Sequence, residues 1–123
     1  MDVLKKIADL LIEILDIEGR EIKPETYLVR ELGAESIDLL ELAVALDAQF
    51  QIQVTEDDIF LKDLRLYAAE AGQQAKAVPQ YLVEKYPFLT ESRAEEIMAD
   101  LEEGGALKVK DLISYVVWRR EQG

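Results

Sequence analysis

One segment limits what this chain can fold into more than any other: it runs from Glu31 to Gln51 and reads ELGAESIDLLELAVALDAQFQ. Gly33 marks a turn, and Ser36 follows as a residue suited to the N-cap of a helix. The helix after it is apolar on two sides. Leu39, Leu42, Leu46 and Phe50 have the spacing of a buried face, and Ile37, Leu40 and Val44 form a second stripe beside carboxylates. Because a small domain buries one stripe of a helix, the second stripe predicts a docking surface.

Within this segment, LGAESIDLLEL resembles the modification motif of acyl carrier proteins. That motif is most often written Leu-Gly, a variable pair, Asp-Ser-Leu, and then a helix carrying Glu-Leu. The matching positions are Leu32 and Gly33 for the lead-in, Ser36 for the modified serine, Glu41 and Leu42 for the Glu-Leu pair, and Phe50 for the aromatic residue that closes the helix. Two positions depart conservatively, since Glu35 stands in place of Asp and Ile37 in place of Leu.

The resemblance implies a carrier rather than an enzyme, with no catalytic residue and no metal site. Ser36 would take a 4'-phosphopantetheine arm from coenzyme A, and the thiol of the arm would hold acyl groups as thioesters for lipid, fatty acid or polyketide-type biosynthesis. The implied partners are a phosphopantetheinyl transferase that uses magnesium, and an acyl-activating ligase, ketoacyl synthase or acyltransferase with a basic docking surface. The residues expected to meet these partners are Glu35, Ile37, Asp38, Leu40, Glu41, Val44 and Asp47.

Charge supports docking to a basic protein and argues against nucleic acid. The formal net charge is −12, and residues 31–61 contain eight carboxylates and no Lys or Arg. Nucleic-acid binding depends on basic patches that neutralise phosphates, whereas an acidic surface attracts basic protein surfaces. An acidic run is often only a solvated face, but this one surrounds Ser36 and the apolar stripe, which favours docking.

The absence of two residue types narrows the chemistry. The chain has no cysteine and no histidine. Any thioester chemistry therefore needs an imported thiol, and Ser36 has no histidine to act as its general base. A serine hydrolase is thus a poor interpretation. The carboxylates of residues 56–58 lack the spacing and the glycine of a calcium loop.

Other functions stay open at this stage. Taken alone, a serine before an apolar run is usually a plain helix cap, so an unmodified helical adaptor is the main alternative. A carrier of amino acids is a weaker one, because that family usually has a different residue pair before the serine. The N-terminal helix has charges at every turn, which predicts neither a signal peptide nor a membrane span. We expect a cytoplasmic monomer.

The remaining sequence predicts an all-α, four-helix carrier bundle, with residues 1–123 as a single domain. Asp2 can cap a first helix that ends near residues 16–19, and a long connection containing Pro24 then leads to Ser36. After the second helix, Thr55 can cap a further turn, and helix could continue through Ala71. The final helix is expected over residues 108–122, where Arg119 suits the end of a helix dipole.

Compared with an ordinary, shorter carrier protein, this chain has an insertion at about residues 62–105. Pro79 predicts a helix start and Pro87 its stop, Thr90 can cap another helix, and Gly104 with Gly105 would end it. Apolar residues recur at helical spacing in both helices, which predicts packing rather than a solvated linker. We expect the insertion to widen the cleft in which cargo or a dedicated partner sits; the alternative is that it only adds core and has no role in specificity.

Overall fold

A computed structural model describes residues 2–122, which form an all-α structure, as the sequence predicts. The helices of this part of the chain are α1 (Val3–Leu15), α2 (Ser36–Phe50), α3 (Glu56–Ile59), α4 (Leu64–Gln73), α5 (Val78–Lys85), α6 (Glu91–Asp100) and α7 (Val109–Gln122). A short 3-10 helix, Leu101–Glu103, follows α6. One isolated antiparallel bridge joins Tyr27 to Lys108. No helix within residues 2–122 is both long and apolar enough to cross a membrane.

Most predicted helix boundaries are confirmed. At two helix starts, the predicted side chain caps a backbone N–H group that has no partner within the helix. The Asp2 carboxylate accepts a hydrogen bond from the Lys5 N–H at 3.0 Å and caps α1, which ends at Leu15. The Thr90 hydroxyl accepts from the Arg93 N–H at 3.1 Å and caps α6. Pro79 lies in the first turn of α5.

Two local predictions are wrong. Ser36 is the first residue of α2 rather than its N-cap, because Glu35 occupies the cap position and its N–H donates to the Asp38 carboxylate at 2.9 Å. Helix does not continue from α3 through Ala71. The backbone of Leu61 turns into the left-handed region with a φ of +53°, which ends α3 and lets α4 start afresh at Leu64.

The core lies where α1, α2 and α3 meet α7. Each of these helices contributes fully buried apolar side chains, among them Ile7, Leu11, Leu42, Leu46, Ile59, Leu112 and Val116. The long loop between α1 and α2 joins this core through Leu28 and Leu32. Burying such a side chain stabilises the fold by roughly 1.5–3 kcal/mol, so the loop before Ser36 is part of the packed structure.

The inserted helices α4, α5 and α6 pack on one another in chain order and reach α7 through aromatic side chains. Tyr67, Tyr86, Phe88 and Tyr115 form a series of edge-to-face contacts, with ring centroids 5.1–6.0 Å apart. Trp118 of α7 lies against the end of this series, with its ring 5.9 Å from that of Phe88. Rings at these separations attract one another beyond the apolar area they bury. The insertion is therefore packed, as its periodicity predicts.

A buried ion pair also fastens α6 to the start of α7. The Arg93 guanidinium donates two parallel hydrogen bonds to the Asp111 carboxylate, both at 2.8 Å, and a third to the carbonyl of Ala106 at 2.9 Å. The two side chains are only 8% and 1% exposed. Burial opposes the charge on Arg93, but the bonds to Asp111 and Glu96 outweigh it, and the net effect raises the pKa of Arg93.

Candidate functional site

Ser36 lies exposed at the very start of α2, behind a loop of defined shape. Gly33 has a φ of +70°, a conformation that glycine adopts without strain, and its N–H donates to the Val29 carbonyl at 3.0 Å. The Ala34 N–H donates to the Leu28 carbonyl at 3.1 Å. Residues 28–34 therefore form a closed turn that presents Ser36 on the surface.

The helix start beside Ser36 suits a negatively charged substituent. The first N–H groups of an α-helix lack partners within the helix, and the helix dipole places partial positive charge at this end. A phosphodiester on the Ser36 oxygen would lie next to these groups, which is a favourable place for an anion.

The second apolar stripe of α2 is exposed, as the sequence predicts. Ile37 is 67% exposed, Leu40 49% and Val44 65%, whereas Leu42 and Leu46 of the other stripe are buried. Large apolar side chains that lie this open and this close together on one helix are typical of a contact surface for another molecule. We call Ile37, Leu40 and Val44 the apolar stripe from here on.

Two grooves flank the apolar stripe. One, with a volume of about 540 Å³, lies between α1 and α2 and includes Leu10 and Ile14 of α1. The other, of about 390 Å³, lies on the opposite side of the stripe and is bordered by Val54 and Glu56.

The place of α1 beside the apolar stripe was not predicted from the sequence. A signal was present in the sequence, because the eight large apolar residues between Val3 and Leu15 are more than one narrow face requires. Residues 62–105 line neither groove. The expected widening of the cleft by the insertion therefore has no support in the two grooves beside the apolar stripe.

The predicted docking carboxylates lie on α2 or at its start, and Glu41 and Asp47 border the apolar stripe. Glu35, Glu41 and Asp47 are exposed, and Asp38 is half-buried beside the cap of α2. Asp47 also accepts a hydrogen bond from the Val54 N–H at 3.3 Å, which holds the segment after α2 against the helix. Five of the predicted docking residues, Ile37, Leu40, Glu41, Val44 and Asp47, border the two grooves, whereas Glu35 and Asp38 bond to each other at the start of α2.

No histidine, cysteine or carboxylate cluster within residues 2–122 is arranged to hold a metal ion. On α3, burial raises the pKa of Asp58, and neighbouring Asp57 and Asp63 add to the effect while Arg119 opposes it. Ser36 itself is an exposed hydroxyl that begins a helix with exposed carboxylates and an exposed apolar stripe.

Comparison with known proteins agrees with this arrangement. Residues 5–65 match the family model described as the phosphopantetheine attachment site. The chain is 40% identical over 58 residues to an acyl carrier protein of Nitratidesulfovibrio vulgaris, a match that covers 47% of this chain and 76% of the relative. An acyl carrier protein of Helicobacter hepaticus is 31% identical over 58 residues, with the same coverage. The chain belongs to the acyl carrier protein family. No solved structure gave a significant match.

Membership of the acyl carrier protein family settles the class of function. Proteins of this family are carriers rather than enzymes, and their prosthetic group is covalently attached 4'-phosphopantetheine. The matched region contains most of α1, all of α2 and α3, and the loop before Ser36, and it ends at Arg65 near the start of α4. Most of the inserted helices and all of α7 lie beyond it.

Proposed function

We propose that Ser36 carries the phosphopantetheine arm and that this protein presents acyl groups, as thioesters of that arm, to separate biosynthetic enzymes. The observation that carries the proposal is the position of Ser36: it is exposed, it begins α2, and the apolar stripe runs from it along the same helix. The Ser36 oxygen would form a bond to the phosphorus that bears pantetheine as the pyrophosphate bond of coenzyme A breaks. The adenosine bisphosphate part of coenzyme A would leave with the electrons of that bond, and the hydroxyl proton would pass to a base of the transferase. The positive end of α2 favours the phosphodiester that results.

Docking is proposed to use the apolar stripe for contact and the carboxylates for attraction. Charge complementarity across exposed surfaces mainly raises the rate of encounter, while the apolar contact holds the complex once it forms. A transferase, ligase, ketoacyl synthase or acyltransferase with a basic patch beside an apolar pocket would fit this face. The two grooves give an incoming apolar side chain a place on either side of α2.

We propose further that residues 1–123 act as one carrier domain with an insertion at about 62–105. The buried Arg93–Asp111 pair and the aromatic series join the insertion to α7, which supports a single unit. Because nearly all of α4 to α6 lies outside the region that matches the family model, the insertion favours a dedicated pathway rather than general fatty acid synthesis.

The thioester is the part of this proposal to test chemically. Protein loaded by a broad-specificity phosphopantetheinyl transferase is incubated with an acyl-activating ligase, ATP and a fatty acid. We expect one acyl group per chain, released by neutral hydroxylamine as thioesters are, and none on Ser36→Ala.

Ser92 offers a matched control, because it is also an exposed serine in the first turn of a helix, α6. Ser92→Ala should accept the acyl group as well as the wild type. An acyl group that survives hydroxylamine, or one that appears on Ser36→Ala, would contradict the proposal. Binding of a partner by a chain that never takes an arm would favour the adaptor instead.

A further inference from the structure

Arg30, in the loop before Ser36, makes three short hydrogen bonds to the end of the insertion. Its Nη1 donates to the Asp100 carboxylate at 2.8 Å, its Nη2 to the Asp100 carbonyl at 2.9 Å and its Nε to the Gly104 carbonyl at 2.7 Å. The Tyr27 hydroxyl donates to the other oxygen of the same carboxylate at 2.6 Å. We call Tyr27, Arg30, Asp100 and Gly104 the clamp.

The clamp is a partly buried contact with several hydrogen bonds rather than a single exposed ion pair. The guanidinium lies over the Tyr27 ring, 4.5 Å from its centroid, and the Arg30 and Asp100 side chains are mostly covered. Gly105 comes so close to the loop that an added Cβ would lie 3.3 Å from the Cβ of Val29, and its φ of +59° also favours glycine. Several charge-assisted bonds on one planar group fix both distance and orientation.

Backbone hydrogen bonds connect the clamp to Ser36. The Leu28 N–H donates to the Leu107 carbonyl at 3.1 Å, just after the insertion. On the other side, the carbonyls of Leu28 and Val29 accept from Ala34 and Gly33, the residues that lead directly into α2. The end of the insertion therefore holds residues 28–30, and these residues shape the turn before Ser36.

We infer that the clamp makes residues 100–105 a positioning element for the arm site, so that the insertion sets how readily Ser36 is loaded and presented. This inference rests on the proposed function of Ser36. A transferase must bring the Ser36 oxygen into line with the phosphorus of coenzyme A, and small misplacements of a reacting group reduce rates strongly. Holding the turn in one conformation keeps the Ser36 oxygen in the position that reaction with coenzyme A requires. Arg30 is thus a positioning residue.

The test compares loading kinetics with amide hydrogen exchange in folded variants. Arg30→Met keeps an unbranched apolar side chain at this position but removes the guanidinium, its three hydrogen bonds and its contact with the Tyr27 ring, and we expect kcat/KM for loading by the transferase to fall about fivefold. The amides of Gly33 and Ala34 should exchange faster, while those in the middle of α2 stay as protected as in the wild type. A contact that only adds stability would leave loading unchanged well below the unfolding temperature.

Two tyrosines give a matched pair of milder variants. Tyr27→Phe removes one hydroxyl bond to a carboxylate within the clamp, and Tyr81→Phe removes a similar bond, 2.8 Å to Glu70, within the insertion and away from the loop. We expect Tyr27→Phe to lower kcat/KM about twofold and Tyr81→Phe to leave it unchanged. Equal effects from the two variants would overturn the inference.

The two proposals fail in different ways. If the wild type takes no arm, the proposed function fails, and exchange alone decides whether the clamp shapes the turn. Protection of Gly33 and Ala34 that is the same in Arg30→Met and wild type would then overturn the inference. If the wild type is loaded, wild-type kcat/KM in Arg30→Met overturns it whatever the variant does to stability.

Discussion

Arg93→Ala is expected to destabilise the protein more than the loss of any exposed ion pair. Removing the guanidinium leaves the Asp111 carboxylate, 1% exposed, with the Lys108 N–H at 2.9 Å as the other hydrogen bond described for it. Leaving a buried charge without its partner costs about 3–5 kcal/mol. For a chain of 123 residues this lowers the unfolding temperature by roughly 10–20 °C.

Urea unfolding measures this loss directly, because Trp118 lies against Phe88 and Tyr115 and its fluorescence reports their separation. The wild type, Arg93→Ala, Asp111→Ala and the double variant form a cycle. We expect the double variant to lose less than the sum of the single losses, since it leaves no buried charge. Lys5→Ala is the control: its pair with Asp9 is exposed, so its loss should stay below about 0.5 kcal/mol.

The same experiment tests whether the insertion and the rest of the chain unfold together. One transition, seen alike by fluorescence and by circular dichroism, is expected if α6 is fixed to α7 by the buried pair. A loss below about 1 kcal/mol for Arg93→Ala, or additive losses in the cycle, would refute the reasoning from burial.

Three further predictions follow from the charges and the core. Glu41→Lys should slow loading of the arm, and more at low salt than at high salt, because exposed charges are screened over about 8 Å at physiological salt. Equal loading rates for Glu41→Lys and the wild type at low salt would count against docking through α2. Tyr86→Phe should change the free energy of unfolding by no more than about 1 kcal/mol, because the buried Tyr86 hydroxyl lies near the backbone of Asp63 but makes no hydrogen bond of good geometry within residues 2–122. A loss above that size in urea unfolding would disprove this. Asp100→Asn tests the clamp through the pH dependence of the free energy of unfolding. The Tyr27 hydroxyl and the Arg30 guanidinium lower the pKa of Asp100 in the folded state. The stabilisation that the ionised Asp100 carboxylate gives to the fold is therefore fully present above the pKa of Asp100 in the unfolded chain. It is lost as the pH falls through the pKa of Asp100 in the folded protein. The stability gap between wild type and Asp100→Asn should therefore shrink below about pH 4, and a gap that grows in acid would contradict the assignment.

The exposed stripe of α2 could be predicted from sequence because its cause is local. Helical spacing decides which residues share a face, and Ile37, Leu40 and Val44 cannot share one with Leu42 and Leu46. The caps at Asp2 and Thr90 were predictable for the same reason, since each side chain bonds to a backbone group three residues away.

The N-cap of α2 shows the limit of that local reasoning. Serine is the stronger capping residue by its intrinsic preference, yet Glu35 takes the position because Asp38 bonds to its N–H. Ser36 is thereby moved one place into the helix. A choice between two adjacent candidates depends on small energy differences, and sequence patterns do not resolve them.

The clamp and the buried pair could not be predicted. Arg30 and Asp100 are separated by 70 positions, and Arg93 and Asp111 by 18. In a chain with 14 basic and 26 acidic residues, nothing local distinguishes these partners from the others. Their pairing depends on how α4 to α6 fold back onto α7 and onto the loop before Ser36, which is a property of the packed chain.

The central claim, that Ser36 bears the arm, is tested most directly by intact-mass measurement after coexpression with a broad-specificity phosphopantetheinyl transferase. We expect the wild type and Ser92→Ala to gain the mass of one phosphopantetheinyl group, and peptide mapping to place it on Ser36. Ser36→Ala should remain folded and gain nothing. An arm mapped to another residue, or no mass gain with several transferases, would contradict the account.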